Sequence, residues 1–102
     1  MTRFGTPAPR DAARKPDYVF AAAICRDLVE GGDGKRYFGS TAVWNGHQEK
    51  ARQFGFLNLK GALTPLGRRV GQRCTTLPPA PAFTMGRHYQ ELAENVIGEH
   101  SL

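Results

Sequence analysis

The chain has 102 residues, room for one domain and too few for two cores of ordinary size. Its composition, 40% hydrophobic and 23% charged, is that of a soluble protein. No apolar run approaches the roughly 20 residues that a membrane helix needs, and 12 glycines with 7 prolines exclude a long coiled coil.

The formal charge of +5 favours polyanionic partners, and it is unevenly placed. Residues 35 to 73 carry eight basic side chains against the single acid Glu49, whereas residues 17 to 34 carry one basic and four acidic. The positive field therefore belongs to the middle of the chain. Arginine outnumbers lysine ten to four, which suits bidentate contacts to phosphates and guanine edges.

Residues 1 to 16 hold three prolines and little to bury, and read as a flexible basic arm. Asp17 is placed to cap a first helix from about Tyr18 to Glu30, in which Phe20, Ile24 and Leu28 repeat at i, i+4 and i+8. Gly31-Gly32-Asp33-Gly34-Lys35 has the look of a phosphate loop, but Arg36 stands where Ser or Thr is required, so the stretch reads as a mobile turn. Lys35 to Phe38 reads as a short extended piece. Ser40 is a good cap for a helix reaching about Phe54, with Trp44, Ala51 and Phe54 on its inner stripe and Val43 and His47 beside them. Gly46 either sits inside that helix, at a cost on the order of 1 kcal/mol, or divides it into two.

Residues 56 to 64 predict two short strands around Lys60-Gly61, where glycine supplies the positive φ of a tight turn. Thr64 and Pro65 then open another helix, threonine as cap and proline at the first helical position. Leu66 and Val70 share its inner face, and Arg68, Arg69 and Arg73 point elsewhere. Gly67 and Gly71 weaken this helix intrinsically, which a close approach by another backbone would explain. Residues 77 to 82 are a stiff, extended spacer. Beyond it Tyr89, Leu92, Ala93, Val96 and Ile97 form the clearest amphipathic stripe in the chain. That stripe packs either on its own domain, on a second copy, or on another protein.

The string Ala51-Arg52-Gln53-Phe54-Gly55-Phe56-Leu57, then Gly61, then Leu63-Thr64-Pro65-Leu66-Gly67-Arg68, resembles the closing half of a winged helix-turn-helix domain. The resemblance implies a mainly α fold with a small β-hairpin as the wing. The chain then divides into a basic arm (1–16), a winged-helix-like domain (17–76), a proline-rich spacer (77–84) and a C-terminal helix (85–102). Duplex DNA is the implied partner. Asn45, Gln48, Glu49 and Arg52 would face base edges in the major groove, and Lys35, Arg36, Lys60, Arg68 and Arg69 would face phosphates. Tyr89, Leu92, Val96 and Ile97 are the candidate surface for a homodimer or a protein partner.

His47, His88 and His100 match no zinc spacing, and Cys25 and Cys74 form no C-x-x-C pair, so two buried thiols are expected. Asp27, Glu30 and Asp33 lack the spacing of a calcium loop and read as a solvated helix end. No catalytic residue, metal or cofactor is expected. The expectation is a small cytoplasmic, non-enzymatic DNA-binding regulator. The alternative is a protein-binding adaptor or inhibitor: in size and lack of catalytic motifs the chain resembles small basic proteins of phages and mobile elements, including anti-CRISPR proteins.

Overall fold

The computed structural model describes residues 16–38, 41–80 and 84–101. Four helices span them: α1 (Val19–Val29), α2 (Thr41–Gln53), α3 (Pro65–Cys74) and α4 (Gly86–His100). Seven consecutive residues of α1, Ala21 to Asp27, are buried, so this helix is covered on every side and forms the axis of the core. It packs against all three other helices; α3 and α4 also pack on each other, and α2 rests on α1 alone. The Asp17 carboxylate accepts the Val19 N–H at 3.0 Å, close to the expected cap.

Small residues set how closely these helices approach. The Cys25 carbonyl lies against Gly71, and the Phe56 carbonyl lies against Gly67, in the space that a Cβ at either glycine would occupy. The two glycines of α3 therefore serve the close backbone approach anticipated from their spacing. Thr64 caps α3 by accepting the Gly67 N–H, with Pro65 at the first helical position. Val70 is fully buried on the inner face.

Gly46 does not divide α2, which runs unbroken through it. The expected Ser40 cap lies outside the described residues. Ala51 is buried, Trp44 and Phe54 pack partly buried against the core, and Val43 is 50% exposed and leaves the stripe. At the end of α2 the Gly55 N–H bonds to the Arg52 carbonyl and the Phe56 N–H to the Ala51 carbonyl, while Gly55 adopts φ +83°. This is a Schellman stop, and the buried side chains of Ala51 and Phe56 supply its apolar contact.

The hairpin wing is not formed. Among the described residues there is no strand, and the expected pair is reduced to a single antiparallel bridge between Leu57 and Leu63. The reason is local. The Asn58 side-chain oxygen accepts both the Lys60 and Ala62 N–H groups, and the Asn58 N–H reaches the Ala62 carbonyl, so the backbone closes on itself at once. Gly55 on one side and the Thr64 cap on the other leave no residues from which longer strands could grow. Gly61 supplies the expected positive φ, +83°. The winged-helix-like architecture is thus corrected to a helical fold with a tight turn at 57–63.

One further reading changes, and one open choice is decided. Lys35 to Phe38 is a turn closed by the Phe38 N–H on the Lys35 carbonyl, not an extended piece. The stripe of α4 is spent on the core: Tyr89, Ala93 and Val96 are fully buried, with Leu92 and Ile97 packed beside them. Tyr89 and Val96 therefore offer nothing to a second copy or a partner.

Candidate functional site

The apparent phosphate loop is occupied by the protein's own anion. Asp27, 4% exposed, accepts the Gly34 N–H at 2.8 Å and the Arg36 N–H at 3.2 Å, while its backbone carbonyl takes the Gly32 N–H. Gly32 lies so close to this carboxylate that a side chain there would collide with it. The segment is pinned rather than mobile, and the Gly32, Gly34 and Arg36 amides are already engaged by Asp27. The expected solvated acidic cluster is corrected in part: Asp33 is exposed, but Asp27 is buried and Glu30 is bound by Tyr37 and Arg26. Burial raises the Glu30 carboxyl, but the hydrogen bonds from Tyr37 and Arg26 outweigh it and hold the group below the usual carboxylate range.

Arg26 interrupts the apolar run in sequence yet is 2% exposed in the fold. Its guanidinium donates to the Leu77 carbonyl at 2.7 Å, the Pro78 carbonyl at 3.1 Å and the Tyr89 hydroxyl at 3.0 Å, and its Nε pairs with Glu30 at 3.2 Å. It also lies over the Tyr37 ring. One buried cation thus fastens the start of the spacer and α4 to α1, a structural duty rather than a surface one.

One edge of the molecule is built by α2, whose Trp44, Gln48 and Arg52 are half-buried. Trp44, Gln48 and Arg52 follow one another at i, i+4 and i+8 and share one side of the helix. The Lys35 ammonium sits 4.7 Å from the Trp44 ring centroid. At the other end a Cβ on Gly61 would come within 3.2 Å of the Gln48 amide nitrogen and 3.8 Å of the Arg52 guanidinium. Helix and turn are therefore one continuous edge, with Lys35 at one end and the Lys60-bearing turn at the other. Trp44 to Arg52 spans about 12 Å of helix axis. Asn45 and Glu49 are exposed on α2, and Lys60 is exposed at the turn. Glu49 accepts from Arg52 at 3.0 Å in an exposed i,i+3 pair. The Trp44 Nε1 and the Arg52 Nε are buried donors without an acceptor among the described residues.

The expected phosphate-facing cations do not all join this edge. Arg36 turns back to Glu30 at 3.5 Å, and Arg69 is paired with Glu99 on α4 at 3.1 Å. Lys35, Lys60 and Arg68 make no ion pair among the described residues. Sequence reasoning left two features unassigned. Leu59, beside Lys60 at the turn tip, is 92% exposed. Arg73 joins Arg69 on Glu99, which their i,i+4 spacing foreshadows.

His47 stacks on Phe20 with ring centroids 4.3 Å apart, beside a groove of Pro16, Asp17, Lys50 and Phe54. Burial holds its imidazole below the ordinary histidine value of 6.5, so it is mainly neutral near pH 7. Cys25 and Cys74 are both buried and free; burial pushes the Cys74 thiol up to about 12 and the Cys25 thiol up as well, away from the reactive thiolate. No group of three His, Cys, Asp or Glu able to hold a metal ion occurs among the described residues. None of their helices is long and apolar enough to cross a membrane. No protein-family model, curated protein or solved structure matches the chain, so the winged helix-turn-helix resemblance rests on its residues alone.

Proposed function

We propose that the protein binds duplex DNA along the edge formed by α2 and the 57–63 turn, as a non-enzymatic cytoplasmic regulator. The observation that supports this most is the packing of Gln48 and Arg52 against Gly61. It joins the helix to a cationic turn, with Lys35 over Trp44 at the far end; Trp44 to Arg52 is about 12 Å of helix axis, a span comparable with the width of the major groove. Asn45 and Arg52 supply an amide and a guanidinium for base edges, and Glu49 supplies an acceptor for a cytosine amino group. Lys35 and Lys60 supply the charge that anchors the backbone.

The test separates the two kinds of contact. Arg52→Ala is expected to relax discrimination between duplex sequences, with about 1–3 kcal/mol lost on the preferred one, whereas Lys60→Ala is expected to weaken all duplexes alike. Equal effects of both variants on every sequence, measured by anisotropy titration, would reject α2 as the reading element. A protein-binding adaptor is the second reading, favoured by Leu59, an almost fully solvated leucine on an ordered turn. A stoichiometric partner that survives nuclease and high salt and is lost in Leu59→Ser would support it over DNA binding.

A further inference from the structure

The densest cationic face of the fold lies on α3, not on α2. Gly67, Val70, Gly71 and Cys74 turn inward and are buried, which leaves Arg68, Arg69, Gln72 and Arg73 on the outside. Three guanidiniums thus fall within about 7.5 Å of helix axis, a length that matches about two phosphates of one DNA strand. Among the described residues one carboxylate reaches them: Glu99 of α4 accepts from Arg73 Nη2 at 2.7 Å and from Arg69 Nη2 at 3.1 Å. Its second oxygen accepts from Arg73 Nη1 at 3.5 Å. The side chain of Glu99 remains 44% exposed, and those of Arg69 and Arg73 are 42% and 39% exposed. Arg68 is exposed and makes no ion pair among the described residues.

A carboxylate gripped by two guanidiniums occupies the geometry that a phosphate oxygen pair would take. We propose that the outer face of α3 is a second phosphate-contacting surface for duplex DNA, and that Glu99 competes with the duplex for Arg69 and Arg73. This rests on the DNA reading given above. The face suits a nucleic-acid backbone better than a membrane surface, because every outward residue from Arg68 to Arg73 is polar and the apolar side of α3 is consumed by α1. The Arg73 guanidinium holds the Glu99 carboxyl below the usual carboxylate range, so the competitor is charged throughout the neutral range. Binding must break an internal pair before it gains an external one, which lowers affinity and keeps the arginine face from holding every polyanion it meets.

The test is anisotropy titration of a labelled duplex of about 20 bp over about 50 to 300 mM NaCl. Glu99→Gln is expected to tighten binding about 3–10-fold at low salt and to steepen the salt slope by about one. Arg69→Gln with Arg73→Gln is expected to weaken binding at least about 10-fold and to flatten the slope by about two. Arg68→Gln breaks no ion pair among the described residues, so its expected loss of about 3-fold or more stands even if the double variant loosens α3 from α4. Wild-type binding with Glu99→Gln unchanged or weaker, or with Arg68→Gln unchanged, overturns the α3 proposal and leaves the DNA reading intact. Absence of binding by both wild type and Glu99→Gln overturns the DNA reading itself. Displacement of the duplex by poly-glutamate at lower charge concentration than by unlabelled duplex overturns the proposal in favour of an acidic protein partner.

Discussion

Arg26→Met is expected to lower unfolding free energy by about 3–5 kcal/mol, among the largest losses a single substitution in this chain produces. The guanidinium is 2% exposed and satisfies the carbonyls of Leu77 and Pro78, the Tyr89 hydroxyl and one oxygen of Glu30. Methionine fills a similar volume and satisfies none of them, so the Leu77 carbonyl and the buried Tyr89 hydroxyl lose their donor. Arg26→Lys is expected to recover only part of the loss, because an ammonium lacks the planar fork that reaches acceptors in several directions. Urea unfolding measures both. A loss below about 1 kcal/mol for Arg26→Met would show that the acceptors find water instead, and that the cation does not hold the spacer to α1.

The second large effect is steric. Gly71→Ala places a Cβ 2.7 Å from the Cys25 carbonyl carbon and 2.7 Å from a Val29 methyl, where helix backbones already touch. Relief requires α1 and α3 to separate, and since Ala21 to Asp27 are buried by that contact and its neighbours, about 3 kcal/mol or more is the expected cost. Gly46→Ala is the opposite case. Nothing lies within 4 Å of its Cβ position and the residue is inside α2, so a gain of about 0.5–1 kcal/mol is expected from helix propensity and a stiffer unfolded chain. Denaturation midpoints that move in the same direction for both variants would contradict the close α1–α3 contact.

These contrasts show what kind of information the sequence carries. Local signals were legible: Asp17 before α1, Thr64 and Pro65 before α3, the positive φ at Gly61, and the paired glycines of α3. Each is a decision made within about one helical turn. The hairpin was misread because Leu57, Leu59 and Leu63 mimic a strand pattern, while a single side chain, Asn58, closes the turn before a ladder begins. The burial of Arg26 was not legible because, apart from Glu30 at i+4, its acceptors arrive from 51 to 63 residues away. The same distance problem hid the pairing of Arg69 and Arg73 with Glu99, 30 and 26 residues apart. Net charge by segment located a basic region but said nothing of which cations are already neutralised. Among the described residues Arg36, Arg52, Arg69 and Arg73 have carboxylate partners, whereas Lys35, Lys60 and Arg68 have none.

Those unpaired cations make the central claim open to one direct measurement, the affinity of the wild-type protein for a short duplex as a function of salt. With Lys35, Lys60 and Arg68 contacting phosphates, about three counterions are released. The dissociation constant is then expected to rise about 40-fold between about 50 and 200 mM NaCl. Binding that is absent at low salt, or that changes by less than about 3-fold across that range, would contradict duplex recognition by this surface.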